Sequence, residues 1–159
     1  MAYKRRQNLR DHLVHSKFQI HPLPGTHPCS KPKCIVCPFL DNEQSVKGPK
    51  NTFKVSRMFG CHSTNVVYAI RCKRCGILYI GETGKPFSHR LSQHLADIRL
   101  KRENRQVANH FNKNGHSIND LRAQIIWGVR GDLLDRRNLE TWLIDFLGTI
   151  TPLGLNQKM

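Results

Sequence analysis

The sequence predicts an α/β protein with a small sheet of about three strands flanked by helices. Two short apolar runs of β type, 66–70 and 77–80, are separated by a Cys-x2-Cys knuckle, and a third strand is predicted at 121–129. Helical patterns follow each part of this sheet, at 86–102, 107–114 and 133–147. Because strands and helices alternate, we expect the helices to pack on the sheet.

The helix at 86–102 has a distinct apolar face. Pro86 suits its first position, because the missing N–H would be unpaired there in any case. The apolar face consists of Phe87, Leu91, Leu95 and Ile98, which recur at i, i+4, i+8 and i+11. Arg90, His94 and Asp97 share a neighbouring face. Periodicity alone favours a solvated basic surface for such a set.

The last predicted helix, 133–147, has an apolar stripe with one glutamate beside it. Glu140 lies beside this stripe, although a lone helical glutamate is usually solvated and paired at i−4, here with Arg136. The stripe consists of Leu139, Trp142, Leu143, Phe146 and Leu147.

Length and charge limit the classes of protein to consider. A chain of 159 residues is one domain, with room for a small appended module. The formal net charge is +15 and the pI is about 10.1, which attracts polyanions, most commonly nucleic acid. No apolar run approaches the ~18 residues of a membrane span, and the first residues lack the apolar region of a secretory signal. We therefore expect a nucleic-acid partner and no membrane.

Six cysteines in a chain without signs of export favour metal ligands over disulfides. The segment 21–51 carries six of the eight prolines and no sustained periodicity, so it needs a cross-link to hold its shape. Its three thiols supply three of the four ligands of a tetrahedral zinc site, and the nearest unassigned thiol supplies the fourth. The first predicted zinc site is Cys29, Cys34, Cys37 and Cys61, with His21, His27 and His62 as rivals for the fourth place.

A second zinc site is predicted between the two tyrosine-bearing strands and a later segment. Cys72 and Cys75 form a half-site, and His110 and His116 offer a spacing at the wide end of the usual finger pair. Ordinary surface histidines are the alternative. Both predicted zinc sites are closed, which indicates structural zinc.

Two short motifs, at 66–68 and 79–81, resemble those of a known family. Tyr79-Ile80-Gly81 is an intact second half of the GIY-YIG signature, and Val66-Val67-Tyr68 stands where the first half belongs, with valine in place of glycine. With Gly84, Arg90 and His94 behind them, these motifs resemble a GIY-YIG nuclease core. The cysteine pair between the halves and the later histidine pair are similar to those of the endonuclease domain of Penelope-like retroelements. This resemblance covers roughly 25–157 and implies a small, mainly antiparallel GIY-YIG-type sheet.

The resemblance implies a metal-dependent DNA endonuclease. Glu140 is then the residue that holds a divalent cation, and oxygen ligation favours Mg²⁺ or Mn²⁺. Arg90 offers a planar cationic fork to the phosphate. Tyr68 is the general base that the family implies, whereas His94 is chemically the easier proton acceptor. The catalytic candidates are Tyr68, Tyr79, Arg90, His94, Glu140 and Asn156.

The same resemblance suggests a context for the chain. We expect a basic arm at 1–20 that resembles the tail of a reverse transcriptase, a zinc-binding linker at 21–62 and a nuclease core at 63–159. DNA is the expected partner, with element RNA and a covalently linked reverse transcriptase as further ones. Nicking in the nucleus would supply a 3′ hydroxyl for target-primed reverse transcription. The alternatives are an inert zinc-stabilised nucleic-acid-binding module and a repair-type GIY-YIG nuclease.

Overall fold

The computed structural model describes residues 23–158, so the predicted arm at 1–20 and His21 lie outside the described residues. Within that range the chain forms seven strands, three α-helices and two short 3-10 turns. The strands are β1 Gly25–His27, β2 Ser45–Lys47, β3 Thr52–Lys54, β4 Met58–Gly60, β5 Val66–Cys72, β6 Leu78–Thr83 and β7 Leu121–Gly128. The helices are α1 Phe87–Arg99, α2 Gln106–Phe111 and α3 Leu133–Leu147, and the 3-10 turns are Cys37–Phe39 and Ile118–Asp120.

The central sheet has three antiparallel strands in the order β6-β5-β7. Its register places Tyr68 opposite Gly81 and Ile70 opposite Tyr79. A register shift after Val67 interrupts the pairing of β5 with β7. The predicted fold class, a small antiparallel sheet flanked by helices, is confirmed. Strands β5 and β6 end two and three residues beyond their predicted ends, and β7 ends one residue before its predicted end.

Helices cover both faces of this sheet. Alternation along β5 turns Tyr68 and Ile70 towards the buried side chains of α1, while Val67 and Ala69 face Leu143 of α3. The α1 side chains in this core are those predicted from periodicity: Phe87, Leu91, Leu95 and Ile98. The sheet therefore separates two apolar layers, and side chains on α1 and α3 approach it from opposite sides.

Helix α3 has the predicted bounds, 133–147. Asp132 caps its N-terminus in a capping box, and Gly148 ends it in the left-handed conformation (φ 75°). One residue of the predicted apolar stripe is wrong: Trp142 is 48% exposed. The narrow sheet covers only part of the helix, so Trp142 instead stacks on Phe146 (ring centroids 4.9 Å apart) and packs against Phe53 of β3.

The cysteine-rich segment is bound along the free edge of β7. The backbone N–H of Ile125 donates to the buried Thr26 hydroxyl (2.7 Å), and that of Asp41 donates to the carbonyl of Ala123 (2.8 Å). Val36 and Val55 of this segment are buried in the same apolar layer as α1. The segment thus blocks one edge of the sheet from pairing with another chain. No helix in the described part of the chain has both the length and the hydropathy that a membrane span requires.

Candidate active site and metal centres

A buried hydrogen-bonded group joins β5 to α1. The Tyr68 hydroxyl lies 2.8 Å from Nε2 of His94, and Nε of Arg90 donates to the same hydroxyl oxygen at 3.2 Å. Because the oxygen accepts from Arg90, we assign the hydroxyl hydrogen to His94, whose Nε2 then accepts it. The i, i+4 spacing on α1 thus brings Arg90 and His94 to one phenol, as the predicted shared face requires.

Tyr79 and Gly81 complete this face of the sheet. The Tyr79 ring lies 5.6 Å from the His94 ring and 6.5 Å from the Tyr68 ring, measured between centroids. Gly81 has no side chain at the point where the Tyr68 hydroxyl crosses β6. Four of the predicted catalytic residues, Tyr68, Tyr79, Arg90 and His94, therefore lie together.

Burial controls the protonation of this group. Desolvation raises the pKa of Tyr68, and the Tyr79 phenol adds to the rise, while Arg90 opposes it. Desolvation also lowers the pKa of His94 to about 3, helped by the positive charges of Arg90 and Arg105. At neutral pH the phenol therefore keeps its proton and the imidazole is neutral, so Nε2 of His94 has a free lone pair for the Tyr68 hydroxyl.

Glu140 lies on α3, which packs on the opposite side of the sheet from α1. Its carboxyl is half-buried, and burial together with the negative charge of Glu82 raises its pKa to about 7. Its charge in turn raises the pKa of both Tyr68 and Tyr79, so it lies within electrostatic range of the phenols. Within residues 23–158 Glu140 forms no salt bridge. A half-buried carboxylate of this kind fits a divalent cation as an oxygen ligand.

Arg136 is not the i−4 partner of Glu140 that helical spacing offers. Its Nε donates to Glu82 at 2.6 Å, and its Nη1 donates to the side-chain oxygen of Asn65 at 2.8 Å. This ion pair is nearly buried, with 11% of Arg136 and 19% of Glu82 exposed. Gly84 leaves room for it, since a Cβ there would lie 2.9 Å from the guanidinium. Arg136 therefore neutralises the carboxylate beside Glu140, and among the described residues Glu140 itself has no ion-pair partner.

Asn156 contacts the backbone of β6 and not the phenols. Its side-chain oxygen accepts from the N–H of Ile80 (2.9 Å) and the Thr149 hydroxyl (2.8 Å), and its amide donates to the carbonyl of Ile80 (2.8 Å). These bonds occupy both ends of the amide. The geometry gives Asn156 a positioning role, because it clamps the chain after α3 to the strand that carries Tyr79.

The four thiols of the first predicted zinc site lie together. Their sulfur atoms are within 4.8 Å of one another, and Cys29 Sγ is 3.6 Å from Cys37 Sγ. A tetrahedron with Zn–S bonds of 2.3 Å has edges of about 3.8 Å, so the group matches zinc in size. The fourth member of the group is Cys61, since His27 instead hydrogen bonds to the carbonyl of Leu23 (2.9 Å) and His62 is exposed.

The second predicted group is equally close to tetrahedral geometry. Cys72 Sγ lies 3.5 Å from Nδ1 of His116, and Cys75 Sγ lies 3.5 Å from Nε2 of His110. Zn–S and Zn–N bonds of 2.3 and about 2.05 Å predict an edge of about 3.5 Å. All four ligand atoms are within 4.8 Å of one another. The site would join the turn between β5 and β6 to helix α2.

Sequence reasoning missed the ion pair of Glu82 and Arg136. Glu82 directly follows the Tyr-Ile-Gly motif, and Arg136 precedes Glu140 by one helical turn. The position of these two charged residues next to the motif and next to Glu140 could have marked them as site residues. Their pairing across 54 residues could not be predicted, because it depends on how α3 crosses β6.

Comparisons with known proteins agree with this geometry. The family model of the GIY-YIG catalytic domain matches residues 64–123. The fold of this part of the chain is therefore of the GIY-YIG type. The solved structure of the catalytic domain of homing endonuclease I-TevI is similar in fold, with a TM-score of 0.51 and 19% identity over 59% of this chain and 98% of that one. A comparison with curated proteins found no match.

The range that the family model matches covers only part of the site. It includes the four residues clustered on β5, β6 and α1, together with all four members of the second metal group. Glu140, Asn156 and the first metal group lie outside 64–123, and the family model does not match them.

Proposed function

We propose that this chain is a metal-dependent DNA endonuclease that nicks one strand by phosphodiester hydrolysis. One observation carries the proposal: the Tyr68, His94 and Arg90 network lies within electrostatic range of the unpaired, half-buried carboxyl of Glu140. Hydrolysis needs a proton acceptor for water, positive charge on the phosphate and stabilisation of the leaving oxygen. The chain has a residue suited to each task.

Arg90 is the phosphate ligand in this proposal. Its Nε is occupied by Tyr68, and its Nη1 donates to the side-chain oxygen of Gln93 at 3.0 Å. These bonds leave Nη2 free for a non-bridging phosphate oxygen, and they fix the plane of the guanidinium before substrate arrives. Such preorganised charge is worth more in a partly buried site than in water.

Tyr68 and His94 act as one proton relay. The attacking water gives a proton to the Tyr68 oxygen while the phenolic proton passes to the neutral Nε2 of His94. Tyr68 therefore does not become a free phenolate, which its raised pKa disfavours. Because the pKa of His94 is about 3 in the free protein, the negative charge of the bound phosphate has to raise it for this transfer. His94 is the final acceptor, and Tyr79 orients water or phosphate with its hydroxyl.

Glu140 is the ligand for Mg²⁺ or Mn²⁺ in this proposal. Such a cation supplies Lewis acidity to the phosphate and the leaving oxygen. Glu140 is suited to this role because the neighbouring Glu82 is already paired with Arg136 and does not compete for the ion. Asn156 supports the site indirectly by fixing β6.

Both cysteine-containing groups are proposed as structural zinc sites. Their ligand spacing fits tetrahedral zinc, and each has four protein ligands, which leaves no open position for a substrate. Burial raises the pKa of Cys61 to about 12, while a backbone hydrogen bond from Lys31 lowers the pKa of Cys29 to about 6. Zinc would favour the thiolate of both.

The biological setting is proposed from the sequence. The cysteine pair between the two motif halves supports a Penelope-like retroelement, in which nicking supplies the 3′ hydroxyl for target-primed reverse transcription. Element RNA and a linked reverse transcriptase are then the further partners, and the nucleus is the site of action. The three-part division at 20/21 and 62/63 belongs to this proposal.

A plasmid assay tests the enzyme. The zinc-loaded protein is incubated with supercoiled DNA and Mg²⁺ or Mn²⁺, and we expect nicked circles from the wild type. Glu140→Ala and Arg90→Ala should lose nicking, whereas Glu103→Ala and Arg99→Ala, on exposed positions, should keep it. Nicking that persists in both site variants would refute the assignment. Retained DNA binding without nicking in the wild type would favour the inert binding module.

A further inference from the structure

A charged cleft continues outward from the tyrosine pair. It lies between α1 and the start of α2, has a volume of about 350 Å³, and reaches Tyr79 and His94 at its inner end. Arg90 belongs to both the cleft and the Tyr68 network, so the two spaces are continuous. The polar side chains that line the cleft further out are Gln93, Asp97, Arg102, Asn104, Arg105 and Gln106.

Asp97 holds two of the cleft's arginines on separate oxygens. Its Oδ1 lies 3.4 Å from Nη1 of Arg102, and its Oδ2 lies 3.7 Å from Nε of Arg105. Asp97 is 18% exposed, whereas the two arginines are 55% and 63% exposed. Each arginine therefore makes one long contact with the carboxylate and keeps its other donors in the open cleft.

The lining excludes most small-molecule ligands. Sites for such ligands are mainly apolar with a few polar groups, whereas this cleft has three guanidinium groups, one carboxylate and three amides. Arginine forks match the oxygens of a phosphate in geometry and charge. Because the cleft opens directly from the site proposed for the scissile phosphate, a neighbouring phosphate of the same strand is the natural anion.

We propose that Arg102 and Arg105 bind a DNA phosphate flanking the one that is cut, and that Asp97 occupies them when DNA is absent. The inference rests on the proposed nuclease function, since it assigns the position of the strand around that site. Asp97 keeps the two side chains pointed into the cleft, and the incoming phosphate takes over or shares their donors. Asp97 therefore competes with the phosphate for the two arginines and also orients them.

The two roles of Asp97 make opposite predictions. If it competes with phosphate, Asp97→Asn removes a negative charge from the cleft and strengthens DNA binding. If it serves only to hold the loop after α1, the same variant weakens binding or leaves it unchanged. The amide retains the size of the carboxylate, so the substitution changes charge with little change in packing.

Binding is measured in the zinc-loaded Glu140→Ala protein, which does not cut, on a short duplex across a range of NaCl concentrations. Arg102→Ala and Arg105→Ala should each weaken binding about tenfold and lower the slope of log K against log salt by about 1. Asp97→Asn should tighten binding about twofold to fivefold. Arg99→Ala, which removes an arginine of α1 outside the cleft, should change binding by less than about twofold.

Two results would overturn the inference: weaker or unchanged binding in Asp97→Asn, or losses in Arg99→Ala equal to those in the cleft variants. Failure of the nuclease proposal is separate, because it appears as absent nicking by the protein with Glu140 intact. Nicking with no effect of the cleft arginines on binding rejects the cleft alone. If the Arg102, Arg105 and Asp97 variants change binding as expected but the protein does not nick DNA, the nuclease proposal is rejected and the phosphate site is retained.

Discussion

Gly81 lies directly across the β5–β6 pair from Tyr68, and a Cβ on Gly81 would stand 2.6 Å from the Tyr68 hydroxyl oxygen. The same atom would lie 2.9 Å from the Tyr79 ring. The last position of the Tyr-Ile-Gly motif is therefore glycine because the phenol needs the space of a side chain. The motif thus encodes the placement of Tyr68, which is eleven residues earlier than Tyr79 in the chain.

Gly81→Ala should abolish most nicking while the protein stays folded. The added methyl group must push the Tyr68 hydroxyl away from His94 and Arg90, and a displacement of about 1 Å in a reacting group can cost about 10²-fold in rate. Nicking rates and thermal unfolding are compared for Gly81→Ala and Gly60→Ala. At Gly60 in β4 the nearest atom to a new Cβ is 4.0 Å away, so that variant should be unaffected. Full activity of Gly81→Ala would contradict the assignment of Tyr68.

Tyr68→Phe should reduce nicking about 10²-fold to 10⁴-fold. The ring still fills the apolar layer against Phe87, but the proton relay to His94 and the acceptor for Arg90 are lost. DNA affinity, measured without a divalent cation, should remain within about threefold, because the phosphate ligands are retained. A rate close to wild type would show that the water gives its proton elsewhere.

His94 should make the folded protein sensitive to acid. Its pKa is about 3 in the fold and about 6.5 in an unfolded chain, so below pH 6.5 the unfolded state binds the extra proton. Stability is therefore lost progressively as pH falls from about 6.5 towards 3. His94→Gln, which retains an acceptor for the Tyr68 hydroxyl, should show a shallower loss over that range.

Urea unfolding at several pH values measures this effect. The exposed His89→Gln on the same helix is the matched control, and its pH profile should follow the wild type. Acid release of zinc is common to all three proteins and cancels in the comparison. Equal slopes for wild type and His94→Gln would refute a buried neutral imidazole.

Local patterns in the sequence account for much of the fold. Helices α3 and α1 were both placed by the apolar residues that recur along them. Both metal-ligand groups came together as their spacing predicts. Such features depend on neighbours within a few turns or on the small number of available thiols.

The remaining features depend on how distant elements cross. Trp142 fits the apolar period of α3 but is 48% exposed and packs on Phe53 and Phe146. The pairing of Arg136 with Glu82 and the arginine-lined cleft require the actual angles of α3 and α2 to the sheet. Residue spacing carries no information about these angles, so sequence alone placed Glu140 near the site only through a family resemblance.

Elemental analysis should give two zinc ions per chain. Cys37→Ser should retain one and loosen the 21–62 segment, and Cys75→Ser should also retain one. Cys75→Ser has a further consequence, because His110 of the same group lies on α2, whose first residues line the arginine cleft. Its DNA affinity should fall more than that of Cys37→Ser. A folded protein without zinc would refute both sites.

Arg136→Ala should be among the most destabilising substitutions in the chain. It leaves Glu82 nearly buried without a partner beside the Glu140 carboxyl, and breaking a buried ion pair in this way costs about 3–5 kcal/mol. Glu82→Gln combined with Arg136→Ala removes the uncompensated charge and should recover part of the loss. Urea unfolding of both single variants and the double variant gives the coupling between the two residues. Additive losses would mean that Arg136 acts through its packing against Gly84 and its bond to Asn65, and not by neutralising the carboxylate next to Glu140.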